Sequence, residues 1–181
     1  MIKLVIGTEG IFFLALIMAF VYMAFVSGYE PANLHALNIK LTAVFSCTLF
    51  ASSGTFWMAE KNYNKSNRKG LLAWLCVTML LGIIFLGGQA HEYIGLINKE
   101  ITLSSSLFGT SFFTLTGFHG LHVLIGLIVF GILLVLILLG DFDRPGSSVI
   151  ACAGMYWHFV DIVWLVVFTV VYVLPVLHVL K

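Results

Sequence analysis

Long apolar runs alternate along the chain with short polar segments. The runs cover approximately residues 4–26, 39–59, 70–92, 108–139 and 149–177. Each is long enough to cross a bilayer core about 30 Å thick, since a helix rises 1.5 Å per residue and needs roughly 20 apolar residues to span it. The pattern predicts about five transmembrane helices in a single domain, residues 1–181, with an all-α polytopic membrane bundle as the fold class.

The composition agrees with a chain that lies in lipid. Hydrophobic residues make up 61% of the sequence and charged residues only 9%, whereas about a quarter of the residues of a soluble domain are charged. The formal net charge is +1 and no basic cluster is large enough to bind nucleic acid. We therefore expect a multi-pass membrane protein with no nucleic-acid partner.

The positions of the cations predict the orientation. Cytoplasmic loops carry an excess of Lys and Arg. An N-terminus inside the cell gives the cytoplasmic side more cations, namely Lys3, Lys61, Lys65, Arg68, Lys69 and Arg144, against Lys40, Lys99 and Lys181 outside. The expected topology is N-in and C-out.

The cysteines give no sign of a metal site. Cys47, Cys76 and Cys152 all lie within apolar runs and have no CxxC spacing. We expect them to be small buried hydrophobic residues, with neither a disulfide framework nor a bound metal.

Ionisable side chains inside the predicted spans are the candidate functional residues, because such groups are costly in a membrane and usually face a bundle interior, a cavity or a partner. They are Glu9, Glu92, His119, His122, His158 and Asp161. Residues three apart on a helix are neighbours. His119 and His122 therefore share one helix face, and His158 and Asp161 share another.

Three interpretations of these residues are open at this point. His119 and His158 lie at similar depth on different helices, so they could supply the two axial ligands of a haem. Carboxylates and histidines in spans also form proton paths. The third interpretation is structural, in which the groups hydrogen-bond one another and backbone carbonyls and so hold the helices together.

Two histidine motifs resemble a known family, subunit III of the haem–copper terminal oxidases. They are residues 117–123, Gly-Phe-His-Gly-Leu-His-Val, and residues 156–161, Tyr-Trp-His-Phe-Val-Asp, followed by Val163 and Trp164. Three weaker matches occur in the family's order: Glu9 with Phe12-Phe13, Gln89-Ala90 with Glu92-Tyr93, and Ser111-Phe112-Phe113. The resemblance covers nearly the whole chain.

The resemblance implies a subunit without a redox centre of its own, which belongs to an oxidoreductase complex. In this family, haem and copper lie in subunit I and in some enzymes in subunit II. Subunit III packs against subunit I, contacts other subunits, binds phospholipids and supports proton uptake and the lifetime of the catalytic subunit. Some members are proposed to guide oxygen through lipid.

The resemblance also implies roles for the candidate residues. Glu9 corresponds to the family's membrane-buried, carbodiimide-reactive glutamate. Glu92, His119, His122, His158 and Asp161 become polar ties within the bundle, which argues against the haem interpretation. A transporter would show repeated halves with discontinuous helices, and the sequence shows no such repeat.

The number of spans departs from many members of the family. Those members have seven, of which two N-terminal helices are splayed from the rest to form a lipid-filled cleft. This chain matches from close to the third helix onward, as five-span bacterial members do. We therefore expect a bacterial inner-membrane protein in which such a cleft would need a wall from another subunit.

Overall fold

Five long helices make up almost all of the structure, a computed structural model that describes residues 2–27, 39–102, 107–140 and 147–175. Each helix is long and apolar enough to cross a membrane, and the described residues contain no strand. This confirms the predicted all-α membrane bundle. The helices are α1 (Ile2–Ser27), α2 (Ile39–Asn64), α3 (Arg68–Ile97), α4 (Leu107–Leu139) and α5 (Ser148–Phe168), and α5 continues into a π-helical segment, Thr169–Val173.

Two helices extend beyond the apolar runs that predict them. Helix α2 continues to Asn64, and α3 runs from Arg68 to Ile97. An apolar run marks only the part of a helix that crosses the hydrocarbon core, whereas backbone hydrogen bonding continues into the polar interface. The end of the last predicted span, residues 176–177, lies outside the described residues, as do Arg144 and Lys181.

A tight turn joins α2 to α3. The backbone N–H of Asn67 donates to the Asn62 carbonyl at 2.9 Å, and the Asn67 side chain accepts from the N–H of Gly70 at 3.2 Å as the N-cap of α3. Ser66 has a φ of 56°, which lies in the left-handed region that few residues other than glycine adopt. The turn folds α2 and α3 into an antiparallel hairpin.

The remaining helices alternate in direction, and α4 and α5 pack on this hairpin. Helix α5 packs against α2 and α4, and α4 also packs against α3. Helix α1 contacts α4 and α5. The antiparallel order places the start of α1, the α2–α3 turn and the start of α5 at one end, together with the described cations Lys3, Lys61, Lys65, Arg68 and Lys69.

Large aromatic side chains fill the centre of the bundle. Phe56 stacks on Phe130 with ring centroids 4.8 Å apart, and Phe130 contacts Trp157 at the same distance. Gly126 permits this packing, since a Cβ at that position would lie 2.7 Å from two ring atoms of Trp157. Small residues of this kind let membrane helices approach closely. The core therefore joins α2, α4 and α5 through interlocking rings.

Candidate functional site

Glu92 connects three helices. Its Oε1 accepts a hydrogen bond from Thr42 Oγ1 on α2 at 3.0 Å, and its Oε2 accepts from the Tyr172 hydroxyl at 2.8 Å. Tyr172 lies in the π-helical segment, where the N–H of Leu174 bonds the Thr169 carbonyl five residues back. The carboxyl of α3 thus holds α2 and the end of α5 together.

His158 and Asp161 meet at one hydroxyl group of α2. Ser53 Oγ lies 2.7 Å from His158 Nδ1, and Ser53 also donates to Asp161 Oδ2. Asp161 is 5% exposed, and its Oδ1 is buried without a hydrogen-bond partner among the described residues. His158 is half-buried. The predicted shared face of these two residues therefore points at α2.

Glu9 of α1 contacts His122 of α4, with Oε2 and Nε2 3.1 Å apart. The other ring nitrogen, Nδ1, lies 2.7 Å from the Phe118 carbonyl. A carbonyl oxygen only accepts, so Nδ1 carries a proton. A hydrogen bond between Nε2 and Oε2 therefore requires one further proton, on either residue.

His119 lies in an aromatic cage. It is fully buried, its ring stacks on Trp164 with centroids 4.7 Å apart, and the rings of Phe85 and Phe13 approach it edgewise. Among the described residues, neither ring nitrogen has a hydrogen-bond partner. The cage contains side chains from α1, α3 and α5, so His119 lies where four helices meet, but it is not a polar tie of the kind expected.

Sequence reasoning missed two indole bonds between α5 and α2. Trp157 Nε1 donates to Ser52 Oγ and Trp164 Nε1 donates to Ser46 Oγ, each at 2.9 Å. The serines of α2 thus serve as hydrogen-bond acceptors inside the bundle. The seven-residue spacing of the two tryptophans on α5 is about two helical turns, so the sequence could have indicated that both indoles lie on one face.

Sequence reasoning also missed a hydrogen-bond network between α3 and α4. Gln89 Nε2 donates to the Thr116 carbonyl at 2.7 Å, and the Tyr93 hydroxyl lies 2.7 Å from Thr116 Oγ1. Gln89 and Tyr93 belong to the segment that resembles the family, whereas nothing marked Thr116 in advance. The network joins α3 to α4.

The structure pairs some predicted residues and separates others. His158 and Asp161 both bond Ser53 of α2, and Glu9 contacts His122. His119, in contrast, lies within the aromatic cage. Within the described ranges, no group of three or more His, Cys, Asp or Glu side chains is arranged to hold a metal ion. What the arrangement provides is hydrogen bonding between helices.

Comparison with known proteins identifies the family. Residues 1–176 match the family described as cytochrome c oxidase subunit III. The chain belongs to this family. It is 38% identical over 168 residues to the probable cytochrome c oxidase subunit 3 of Nocardia farcinica, covering 92% of this chain and 83% of the relative.

Two further relatives show the range of the family. The cytochrome c oxidase subunit 3 of Synechocystis sp. is 36% identical over 180 residues, covering 96% of this chain and 74% of the relative. The cytochrome bo(3) ubiquinol oxidase subunit 3 of Pseudomonas aeruginosa is 33% identical over 170 residues, covering 94% and 81%. The resemblance read from the two histidine motifs is confirmed, and subunit III membership implies a multi-pass subunit of a terminal oxidase complex.

Proposed function

We propose that this chain is the non-redox accessory subunit III of a proton-pumping haem–copper oxygen reductase in the bacterial inner membrane. It packs against subunit I, stabilises it during turnover and keeps proton uptake fast. The proposal rests on one observation: the intramembrane polar side chains bond to neighbouring helices. These side chains are Glu9, Glu92, His122, His158 and Asp161.

The assignment of haem and copper to partner subunits has support in the packing. A haem ligand needs a ring nitrogen that faces open space. Both ring nitrogens of His119 are buried among the aromatic side chains of its cage, so neither faces space for a haem. The proposed role of the chain is therefore to hold its shape beside the subunit that carries the redox centres.

The surface offers places for lipid, which is the ligand we propose for this chain. A groove of about 190 Å³ lies between α1 and α4, lined by Leu16, Phe20, Met23, Leu107 and Leu115 among others. A second groove, of about 250 Å³, lies nearer the start of α1, where α4 and α5 meet it, and includes Ile125, Val149 and Tyr156. Both are almost wholly apolar, which suits phospholipid acyl chains and oxygen dissolved among them.

The orientation and the partner surface are also part of the proposal. Five described cations, Lys3, Lys61, Lys65, Arg68 and Lys69, lie at the end that holds the α2–α3 turn, against Lys40 and Lys99 at the other end. This excess supports a cytoplasmic location for that end. The outer face of α1 exposes Ile11 and Phe25 at 71% each. An apolar face of this kind is suited to lipid or to the helices of a partner subunit.

Deletion of this chain from the oxidase complex tests the proposal. Initial oxygen consumption should persist, because the redox centres lie elsewhere, while activity should decay faster during turnover and proton uptake should slow. The measurement is oxygen consumption over time together with proton uptake in reconstituted vesicles. An unchanged lifetime and unchanged proton uptake would contradict the proposed role.

A further inference from the structure

Ser53 holds two titratable side chains of α5 on a single hydroxyl group. Its Oγ lies 2.7 Å from His158 Nδ1 and also bonds Asp161 Oδ2. A serine hydroxyl has one proton to donate. If Ser53 donates to Asp161, His158 must carry a proton on Nδ1 and donate it to Ser53. If Asp161 carries the proton instead and donates to Ser53, the Ser53 hydroxyl can donate to His158. The protonation of the two α5 residues is therefore linked through α2.

The order of the three groups is not that of a nucleophilic triad. In a Ser-His-Asp triad the histidine lies between the other two residues and the aspartate bonds its second ring nitrogen. Here the serine lies in the middle and contacts both partners. Histidine is thus not placed to pass the serine proton to a leaving group, and the arrangement is suited to proton transfer along the chain of bonds.

We propose that His158, Ser53 and Asp161 form a proton-loading site inside this subunit. A proton that arrives on His158 passes from Nδ1 to Ser53 Oγ while the Ser53 hydroxyl proton passes to Asp161 Oδ2. Imidazolium and carboxylate become neutral imidazole and neutral carboxylic acid. Two protons move, one N–H and one O–H bond break and two O–H bonds form, and the net charge of the site stays the same.

The two ends of the site differ in access. His158 is half-buried, whereas Asp161 is 5% exposed. Glu60 follows Ser53 by seven residues on α2, which is about two helical turns toward the cation-rich end. Protons therefore enter at His158, and Asp161 stores them.

Infrared spectroscopy of the intact oxidase complex during a pH titration tests the site. The carboxylic-acid band of Asp161 is assigned by its loss in Asp161→Asn, and the imidazolium signal of His158 by isotope-labelled histidine and its loss in His158→Gln. The proton that the site takes up is distributed between His158 and Asp161, so its single uptake step should raise the imidazolium and the carboxylic-acid signals in part and at the same midpoint. Separate midpoints in the wild-type complex would overturn the proposal.

Variants of α2 supply the matched controls. In Ser53→Ala the two midpoints should separate by about one pH unit or more, while Ser53→Thr, which keeps the hydroxyl, should leave them together. Ser52→Ala removes the neighbouring bond to Trp157 and should not separate them. A shared midpoint that survives in Ser53→Ala would also overturn the site. If that variant does not assemble, the wild-type titration decides the question by itself.

The proton-loading site goes beyond the accessory function and does not depend on it. Loss of the shared midpoint would leave the stabilising role intact, because that role is read from the lifetime of activity after deletion of the chain.

Discussion

Helices α1 and α5 are both apolar enough to cross a membrane, yet they are held in different ways. Helix α5 bonds α2 through Trp157, Trp164 and the Ser53 cluster, and it buries residues along its whole length. Helix α1 buries Phe13 and Phe20 against the bundle and exposes most of its other side chains. One helix is central to the bundle and the other is attached to its side.

The difference shows that hydropathy alone does not decide how a membrane helix is held. Lipid tails are as apolar as leucine, so burial of apolar surface between helices gives little driving force. Close packing and hydrogen bonds between helices provide the stability instead. Helix α5 has both along its length, whereas α1 is held to α4 through the contact of Glu9 with His122.

The largest expected effect is at the contact of α4 with α5. Gly126→Ala puts a Cβ 2.7 Å from the rigid ring of Trp157, so the helices must separate. Overpacking of this kind costs about 1–3 kcal/mol. The measurement is the denaturant midpoint for unfolding or loss of this subunit in the detergent-solubilised complex.

Gly7→Ala on α1 is the matched control. A Cβ at Gly7 meets nothing within 4 Å, and alanine favours a helix over glycine by about 1 kcal/mol. This variant should leave the midpoint unchanged or raise it. Equal losses in the two variants would show that α1 is packed as tightly as α5.

An intermediate effect is expected at Glu92. Glu92→Leu leaves the hydroxyls of Thr42 and Tyr172 without the acceptor that they share. Polar contacts between membrane helices contribute about 0.6 kcal/mol on average and at most about 1.7 kcal/mol each. We expect a loss of roughly 1–2 kcal/mol in the same unfolding measurement.

Glu92→Gln separates charge from hydrogen bonding. The amide keeps one acceptor oxygen for Thr42 or Tyr172, so the loss should be about half that of Glu92→Leu. A loss as large as in the leucine variant would mean that the carboxyl acts through something other than these two bonds.

The smallest effect is expected where α1 is attached. Glu9→Leu removes the contact with His122 and should cost about 0.6 kcal/mol. Loss of this contact should let α1 move away from the bundle as a unit, so a cysteine placed at Ala24, which is 7% exposed on α1, should react faster with a thiol reagent. The chain's own cysteines are replaced first, because Cys47 and Cys76 are exposed and Cys152 is partly exposed, contrary to the expectation that all three are buried. Unchanged reactivity at residue 24 would indicate that Glu9 does not help to hold α1.

The sequence predicted the helices well because the membrane imposes a length on them. The runs that begin at residues 39 and 108 correspond to helices that start at Ile39 and Leu107. The end of α2 at Asn64 was not predictable from hydropathy. It depends on the Asn62 and Asn67 bonds in the turn, which are local and polar.

The candidate site was predictable as a set of residues but not as a set of partners. Spacing placed His158 and Asp161 on one face, and the structure brings that face to Ser53. Spacing also placed His119 beside His122, although His119 packs among aromatic rings and His122 reaches Glu9. Helical period gives the direction of a side chain on its own helix, whereas its partner depends on how the helices rotate against each other.

The shared proton of Glu9 and His122 has a consequence for the membrane potential. A charge that crosses the whole membrane gains about 2.3 kcal/mol per 100 mV. The proton between Nε2 and Oε2 can move within a gap of 3.1 Å, at most about a tenth of a hydrocarbon core roughly 30 Å thick. The field therefore shifts this pair by at most about 0.2 kcal/mol per 100 mV, so the attachment of α1 stays the same whether the membrane is energised or not.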